Sequence, residues 1–505
     1  MRLMPPTEQL PHALYRAEQV REFDRIAIQE FAIAGSELME RAGASAWRLL
    51  RERWPEAREI AVVCGGGNNG GDGYVVARLA REQGLRVHLL QLGDPAKLRG
   101  DALAKAEAWR EAGGEVEPFE GLPVRIDLLV DAILGTGLER PVTGDWARAI
   151  EAMNRHQAPC LAIDIPSGLH ADTGRILGHA IQAAATISFI GLKQGMFTGQ
   201  GPDCCGQIRF DALGIPARVY AHQILAVRRI DWGQQARRLV PRRRSAHKGD
   251  FGHLLVIGGD QGYSGAARLA AEAAARTGAG LVSLATHPSH AAWLNLGRPE
   301  LMCRGVAEPQ GLVPLLDRAS AIAIGPGLGR GPWGRGMLQA ALDAGLPLVV
   351  DADALNLLSE RPEWRDRWVF TPHPGEAARL LDCTVAEIEA DRFSAVARLQ
   401  ARYGGVVVLK GAGSLIAQGS SRPTALCSDG NPGMATGGSG DLLTGIIGGL
   451  LAQGHDLEEA AELGVCLHAA AGDRAARQGE RGLLAGDLLD ELRPLLNPEA
   501  ADAGT

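Results

Sequence analysis

The sequence has little lysine, no long apolar run and no excess of positive charge. Lysine occurs only at positions 97, 105, 193, 248 and 410, so a lysine inside a motif stands out. The formal net charge of −7 excludes a broad basic field for binding nucleic acid or an anionic membrane. The most apolar stretch, 442–451, is interrupted by glycines and is too short to span a bilayer. The N-terminal region has no apolar segment typical of a secretory signal.

The eight cysteines are scattered along the chain, and no two of them form a CxxC pair. This spacing excludes a disulfide framework and a zinc site built on cysteine pairs. His287 and His290 flank a proline in a predicted turn, where no cysteine or acidic residue completes a zinc set. We expect buried, reduced thiols in a cytoplasmic protein that has neither a nucleic-acid nor a membrane partner.

The length of the chain and the alternation of strand and helix signals predict two α/β domains. Apolar runs typical of buried parallel strands occur in two blocks, at 59–64, 85–92, 126–132, 160–165 and 186–189, and at 253–258, 281–285, 321–324, 346–350, 368–371 and 406–409. An arginine-rich stretch between the blocks could be a nucleic-acid arm, but its shortness favours a solvated linker. We predict a three-layer α/β/α, Rossmann-like domain over 1–225, a linker over 226–243 and a second α/β domain over 244–505.

A glycine cluster, GGGNNGGDG at 65–73, follows the first predicted strand and precedes a helix predicted over 74–83. Its spacing satisfies GxGxxG, so an ordinary dinucleotide-binding dehydrogenase is one interpretation. That interpretation requires an acidic residue at the end of the second strand, whereas Asp94 lies beyond it in a predicted loop. The match to the dehydrogenase pattern is therefore weak.

Polar side chains end three of the predicted strands, in NNGGD at 68–72, DAILGTGL from Asp131 and DIPSGL from Asp164. Asparagine, aspartate and glycine also suit an ordinary turn. Their oxygen donors, however, suit a hard cation or sugar hydroxyls. Because the carboxyl ends of parallel strands share one edge of a sheet, we expect the three segments to form one site.

These three motifs, in this order, resemble those of the NAD(P)H-hydrate epimerase family over about 17–216. The resemblance implies that Asp164 is catalytic and that Asn69, Asp131 and Ser167 bind a potassium ion. It also implies substrate binding by Asp164 and by two segments, which consist of Asn68, Asn69, Gly70, Gly71 and Asp72, and of Gly135, Thr136, Gly137, Leu138, Glu139, Arg140 and Pro141. We expect Lys193, in a later KQG motif, at the surface and without a role in catalysis.

The strongest single motif is NPGMATGGSGD, which ends at Asp441 and precedes the apolar run 442–451. Its glycines allow the backbone to approach an anion, and the apolar run predicts a buried helix whose positive end faces that anion. Asp441 could accept a proton there from a hydroxyl that attacks a bound phosphate, whereas the simpler interpretation is a helix cap. We favour catalysis because a cap does not require the glycines before it.

With GPGLG at 325–329, VVDADALN at 349–356, TPHPGE at 371–376 and KGAGS at 410–414, this motif resembles the ADP/ATP-dependent NAD(P)H-hydrate dehydratases, a ribokinase-like branch. The resemblance covers about 244–495. It implies hydrate contacts from Gly327, His373 and Asp441 and from Ala266 or Ala267. It also implies adenine-nucleotide contacts from Lys410, Gly411, Ala412, Gly413, Ser414 and Gly440. Glu376 would orient Mg²⁺ through water, unless it only caps a helix. The sequence does not distinguish which of Asp351 and Asp353 is structural.

Both resemblances concern the same damaged cofactor. They imply an enzyme that epimerises R- and S-NAD(P)HX in its first domain and dehydrates S-NAD(P)HX in its second, with hydrolysis of ADP or ATP and with K⁺ and Mg²⁺ as cofactors. Two other interpretations stay open: a kinase of a small alcohol such as a vitamin precursor, and a first domain that only senses nicotinamide nucleotides. The sequence does not distinguish ADP from ATP or NADHX from NADPHX. We expect a homo-oligomer.

Overall fold

The computed structural model describes residues 10–497. The chain divides into two compact units, Met1–Arg228 and Arg229–Thr505. No helix among the described residues is both long and apolar enough to cross a membrane.

The first unit contains a seven-stranded parallel sheet. The strands of this unit, including two outside that sheet, are β1 (Ala13–Tyr15), β2 (Glu59–Cys64), β3 (Arg86–Gln91), β4 (Glu117–Pro118), β5 (Leu128–Ala132), β6 (Cys160–Ile163), β7 (Ala185–Phe189), β8 (Leu192–Lys193) and β9 (Gln207–Asp211). The sheet has the order β4-β3-β2-β5-β6-β7-β9, and β1 pairs separately with β8. The helices are α1 (Ala17–Gln29), α2 (Gly35–Arg53), α3 (Asn68–Glu82), α4 (Gly100–Glu111), α5 (Gly144–Arg155) and α6 (Gly201–Cys205).

Alternating side chains of this sheet enter two separate cores. Val62 and Val130 point into the core that contains α1 to α4, whereas Ala61 and Leu129 point into the core that contains α5. A central strand that is apolar on both faces can be covered only by helices on both sides. The predicted three-layer α/β/α architecture is confirmed.

The chain order of the sheet reverses between β2 and β5. From β2 the chain moves outward through β3 to β4, and then returns to place β5 on the other side of β2. The helices after β2 and β5 therefore diverge, which leaves a crevice at the carboxyl ends of these two strands.

The second unit has a nine-stranded arrangement that is parallel up to β17 and ends in two antiparallel strands. Its strands are β11 (His253–Ile257), β12 (Leu281–Thr286), β13 (Met302–Gly305), β14 (Ala321–Ile324), β15 (Leu348–Val350), β16 (Trp368–Phe370), β17 (Val406–Leu409), β18 (Ser414–Ala417) and β19 (Thr424–Cys427), after β10 (Val227–Ile230) at the boundary of the units. Their order is β13-β12-β11-β14-β15-β16-β17-β18-β19.

The helices of the second unit follow most of its strands. They are α7 (Trp232–Gln235), α8 (Ser264–Thr277), α9 (Val313–Leu316), α10 (Pro332–Asp343), α11 (Ala352–Glu360), α12 (Pro374–Leu381), α13 (Val385–Ala390), α14 (Arg392–Tyr403), α15 (Ser439–Ala452), α16 (Leu457–Ala475) and α17 (Ala485–Leu496). The predicted buried helix after the glycine-rich motif is α15, which is buried from Leu442 to its end.

The eleven predicted strands are present, each with bounds within two residues of the prediction. Two predictions about the segments between them are wrong. The helix predicted over 74–83 begins six residues earlier, because α3 already includes NNGGD from Asn68. Its glycines belong to a tightly packed helix start: a Cβ on Gly70 would overlap the carbonyl oxygen of Gly65, and one on Gly71 would overlap the side chain of Met39.

The segment predicted as a solvated linker is partly ordered, because it contains β10 and α7. Arg229 is fully buried, and its Nη1 donates hydrogen bonds to Asp231 (2.9 Å) and to Ser428 (3.2 Å). A buried guanidinium needs such partners. The arginine-rich composition therefore reflects an internal ion pair as well as solvated charge.

Helix α15 packs closely on α8 because glycine leaves room for the two backbones. A Cβ on Gly445 would overlap the carbonyl group of Ala270, and one on Gly449 would lie 3.0 Å from the carbonyl oxygen of Ala274. This contact fixes the helix that carries Asp441 near its start.

We predict that Gly445→Ala lowers the free energy of unfolding of the second unit by about 1–3 kcal/mol, because the two helices must separate. Gly486→Ala in α17 is the matched control, since nothing lies within 4 Å of its added Cβ. That control should be stabilising by about 0.5–1 kcal/mol, as expected for Gly→Ala in a helix. Urea unfolding of both variants measures the difference, and equal effects would contradict the packing argument.

Candidate active sites

The strands of the first unit open at their carboxyl ends into a cavity of about 1030 Å³. Its walls come from α1, from the start of α3 and from the segments that follow β5 and β6. The predicted substrate-binding residues that line it are Asn68, Asn69, Asp72, Gly135, Thr136, Gly137, Leu138, Glu139, Arg140 and Asp164. Gly70, Gly71 and Pro141 are not part of this lining.

The three predicted potassium ligands lie together around Leu134. The Asp131 carboxylate accepts hydrogen bonds from the backbone N–H (2.8 Å) and from Oγ (2.5 Å) of Ser167. The Leu134 N–H donates to Ser167 Oγ (2.8 Å), and the Leu134 carbonyl accepts from Asn69 Nδ2 (3.1 Å). The Asn69 Oδ1 atom is buried and has no hydrogen-bond partner. A buried orphan acceptor of this kind fits a cation.

Asp131 is fully buried, and burial raises the pKa of its carboxyl to about 6, although the hydrogen bonds from Ser167 oppose this shift. Residues 10–497 contain no group of three or more His, Cys, Asp and Glu side chains arranged to hold a metal ion. The donor set here mixes one carboxylate with hydroxyl and amide oxygens.

Asp164 forms an ion pair with Lys193 at the end of β6. Its Oδ1 accepts hydrogen bonds from Lys193 Nζ and from the Phe189 N–H (3.3 Å). Lys193 is fully buried and also donates to Ser188 Oγ (3.0 Å) and to the Phe189 carbonyl (3.1 Å). The prediction that Lys193 lies at the surface is wrong, because three acceptors satisfy its ammonium inside the protein.

Asp24 in α1 and Asp72 in α3 are among the other carboxyl groups that line the same cavity. Burial and the charge of Asp164 raise the pKa of Asp24 to about 6, and burial raises the pKa of Asp72 well above its usual value. Sequence reasoning missed Asp24. Its only signal is an acidic residue among the buried positions Phe23 and Ala27 of an amphipathic helix.

In the second unit, predicted site residues follow the carboxyl ends of four adjacent parallel strands. Gly327 follows β14, Asp351 follows β15, His373 follows β16 and Lys410 follows β17. Gly327 has φ of +58°, and a Cβ on it would overlap Tyr263, close in sequence to Ala266. The predicted hydrate contacts are thus brought to one edge of the sheet.

Lys410 connects the charged groups of this edge. Its Nζ lies 2.9 Å from Asp351 Oδ1 and 3.8 Å from Glu376 Oε2, and Thr444 Oγ1 donates to Asp351 Oδ2 (2.7 Å). Burial alone would lower the pKa of Lys410, but Asp351 and Glu376 outweigh it and raise that pKa above its usual value. Asp351 therefore holds the lysine, while Asp353 accepts from the Gly329 N–H (3.0 Å) at the next loop.

Asp441 lies in the first turn of α15, whose N-cap is Gly438 with φ of +93°. The capping interpretation is therefore wrong, since Asp441 occupies the third helical position and no side chain caps this helix start. No hydrogen bond holds its carboxylate within residues 10–497. Burial and the negative charge of Asp351 raise the pKa of Asp441 to about 7.

His373 and Glu376 form a reciprocal cap at the start of α12. The Gly375 N–H donates to His373 Nδ1 (3.0 Å), and the His373 N–H donates to Glu376 Oε2 (2.9 Å). Glu376 thus does cap a helix, and burial raises its pKa to about 7. His373 has an exposed ring, which leaves it accessible from the strand ends.

The predicted nucleotide segment from Lys410 to Ser414 is the turn between β17 and β18. Its shape depends on Gly411, with φ of +141°, and on buried Arg392, whose Nη2 donates to the Lys410 carbonyl (3.1 Å). Gly440 lies beside this turn, because a Cβ on it would be 3.2 Å from Lys410 Nζ. The turn and the start of α15 therefore adjoin.

Two family models match the chain. A model described as NAD(P)H-hydrate dehydratase matches residues 254–494, and one described as YjeF-related protein N-terminus matches residues 35–195. Each match falls within one of the two compact units.

Curated relatives match nearly the whole chain. It is 48% identical over 487 residues to the bifunctional NAD(P)H-hydrate repair enzyme Nnr of Coxiella burnetii, which covers 96% of this chain and 99% of that protein. It is 46% identical over 497 residues to the enzyme of the same name from Escherichia coli K12, and the match covers 98% of this chain and 96% of that protein. A solved ribokinase-like superfamily protein from Enterococcus faecalis is 30% identical with a TM-score of 0.51, covering 55% of this chain and 97% of that one. The predicted ribokinase-like fold is confirmed.

We predict that Asp441→Asn makes the second unit more stable than the wild type, increasingly so as pH rises from about 4 to about 7. Between these pH values the Asp441 carboxyl group keeps its proton in the folded protein but has lost it in the unfolded protein. The free energy of unfolding of the wild type therefore falls as pH rises, whereas asparagine does not ionise and causes no such loss. Thermal unfolding at a series of pH values measures this. The control is Asp317→Asn at an exposed position, whose melting temperature should change with pH as that of the wild type does. The same pH dependence in Asp441→Asn would refute the raised pKa of Asp441.

Proposed function

Because this chain belongs to the family of bifunctional NAD(P)H-hydrate repair enzymes, we propose that its two sites act in turn on one damaged cofactor. The substrate is a nicotinamide nucleotide hydrated at C6 of the reduced ring, which exists as R and S epimers. The first unit interconverts the epimers, and the second dehydrates the S form to NAD(P)H with hydrolysis of ADP or ATP. The observation that carries this assignment is the half-buried carboxylate of Asp441 at a glycine-led helix start, which no hydrogen bond from residues 10–497 engages.

Dehydration requires activation of the C6 hydroxyl, because hydroxide is a poor leaving group. We assign Asp441 as the general base that takes the hydroxyl proton while the oxygen attacks the terminal phosphate of the nucleotide. Phosphate then leaves C6, C5 gives up a proton, and the reduced nicotinamide is restored. A base works best when its pKa lies near the operating pH, which supports Asp441 with its pKa of about 7.

We assign the adenine nucleotide to the turn from Lys410 to Ser414 and to Gly440. The backbone N–H group of Gly440 lies at the positive end of α15, which favours a bound phosphate. The hydrate contacts would be Gly327, His373, Asp441 and Ala266, which is partly exposed whereas Ala267 is fully buried.

A magnesium ion that accompanies the nucleotide would lie beside Glu376 and Asp441. Burial raises the pKa of both carboxyl groups, so a divalent cation beside them would stabilise their ionised forms, and their oxygen atoms are the ligands that Mg²⁺ prefers. The residues present therefore fit Mg²⁺.

In the first unit we assign substrate binding to the cavity beside Asn68, Asp72 and the segment from Gly135 to Pro141, with Asp164 as the catalytic group. A potassium ion would be held by Asn69, Asp131 and Ser167, where the orphan Asn69 Oδ1 supplies an oxygen ligand. Bound there, the ion would place positive charge beside the nucleotide.

We predict that Asp441→Asn lowers the rate of dehydration by about 10²–10⁴-fold, because it removes the proton acceptor. ADP affinity, measured by isothermal titration, should stay similar, and epimerisation in the other unit should be unchanged. The wild-type rate should rise with pH through about 7, since the base acts when ionised.

The assay is incubation of hydrated NADH with ADP or ATP, in which recovery of the reduced-nicotinamide absorbance is followed. Recovery of both epimers is expected from the wild type. No recovery, with phosphorylation of another alcohol, would replace the repair function by a kinase. Dehydration by Asp441→Asn near the wild-type rate would refute its role as base.

We predict that replacing K⁺ by tetramethylammonium at constant ionic strength slows epimerisation by roughly tenfold or more. K⁺ should also raise the melting temperature of the first unit in the wild type but not in Asn69→Ala. Asn154→Ala is the control, because Asn154 Nδ2 also donates to a backbone carbonyl, that of Ala180 (2.9 Å), away from the cavity. If the epimerisation rate and the melting temperature of the first unit are the same in K⁺ and in tetramethylammonium, the proposed potassium site is excluded.

A further inference from the structure

We propose that Asp24 is the general acid of epimerisation and acts with Asp164 as the base, an inference that rests on the proposed function of the first unit. Both side chains line the same cavity, although they come from distant parts of the chain, Asp24 from α1 and Asp164 from the end of β6. Within residues 10–497, no hydrogen bond engages the Asp24 carboxyl group. It is therefore available to a ligand.

Helix α1 is fixed in position on the cavity wall. The Ala17 N–H donates to Asp172 Oδ1 (2.7 Å) at its start, and Arg21 Nη1 donates to the Thr136 carbonyl (3.4 Å) one turn later. Phe23 is fully buried beside Asp24 and packs edge-on against Tyr15 (4.9 Å between ring centroids). Asp24 is thus presented to the cavity by a helix that both the core and the segment after β5 hold in place.

The two carboxyl groups differ in electrostatic environment. Lys193 Nζ and the Phe189 N–H donate hydrogen bonds to the Asp164 carboxylate. Asp24 has no such donors among residues 10–497, and burial and the charge of Asp164 raise its pKa to about 6. Other charged groups that line the cavity are Arg21, Arg25, Asp72, Asp101, Glu139 and Arg140. The raised pKa of Asp24 suits the role of the acid, and the position of Asp164 in the same cavity suits it to accept the proton of a water molecule.

The chemistry needs one proton donor and one acceptor. Asp24 gives its proton to the C6 hydroxyl, the C6–O bond breaks with its electron pair on the departing water, and the N1 lone pair forms an N1=C6 iminium. A second water attacks the opposite face of C6 and gives a proton to Asp164, while the N1=C6 pair returns to N1. Water leaves and water enters, nothing is oxidised, and solvent returns the proton from Asp164 to Asp24.

Asp72 is less suited to the role of the acid. Burial together with the charges of Asp164 and Asp24 raises the pKa of Asp72 well above its usual value. Burial favours the protonated form of this carboxyl group, which can donate a hydrogen bond, and this agrees with the binding role assigned to Asp72. Asp24 can both give up a proton and regain it near neutral pH.

The test compares Asp24→Asn with Glu18→Gln in the full-length enzyme. Glu18 is an exposed carboxylate of the same helix that does not line the large cavity. Interconversion of R- and S-NADHX is followed by chromatography in H₂¹⁸O, with an enzyme-free sample for spontaneous exchange. Asp24→Asn should lose about 10²–10⁴-fold in kcat with KM changed only a few-fold, while Glu18→Gln matches the wild type. Each wild-type turnover should place one solvent oxygen at C6.

The melting temperature of the first unit shows whether Asp24→Asn is folded. Asp24→Glu keeps a carboxyl group at this position and should restore part of the epimerisation rate. Near-normal epimerisation by Asp24→Asn, or loss of rate and affinity in proportion, would overturn the role of Asp24. Inversion without incorporation of ¹⁸O would overturn the elimination step, because opening of the ring retains the oxygen. Absence of epimerisation in the wild type would instead refute the proposed function of the unit.

Discussion

In each unit, a lysine paired with a strand-end aspartate fixes the charges of the site. Lys193 holds Asp164 at the end of β6, and Lys410 holds Asp351 2.9 Å away at the end of β15. Removal of one partner would leave a buried charge unpaired, which costs about 3–5 kcal/mol. Two of the five lysines of a lysine-poor chain thus each hold a strand-end carboxylate in place.

Each pair also determines how the neighbouring carboxyl groups titrate. Burial raises the pKa of a further carboxyl group nearby, and the charge of the strand-end aspartate adds more to this rise than the lysine takes away. Asp24 in the first unit and Asp441 in the second have raised pKa values for this reason. The same arrangement therefore places, beside each lysine-bound aspartate, a carboxyl group that changes its protonation near neutral pH, which is what proton transfer requires.

The sequence predicted the sheets well because parallel strands buried on both faces are continuous apolar runs, as at 59–64 and 406–409. It failed at α3, because asparagine and glycine have low helix propensity and the helix start is imposed by packing against Gly65 and Met39. It also failed for Lys193 and Asp24, whose environments depend on distant residues. The contacts of the predicted substrate and nucleotide residues, the oligomeric state and the location in the cell stay predictions.

Backbone strain at the two strand ends follows from the same ion pairs. Asp164 has φ of +66°, and Ala352, directly after Asp351, has φ of +49°. Such left-handed residues other than glycine cost of the order of 1–3 kcal/mol each. Relaxing either turn would move the aspartate from its lysine, at about 3–5 kcal/mol for the unpaired charge. The ion pair outweighs the strain, so the turn that presents the carboxylate at the carboxyl edge of the sheet is retained.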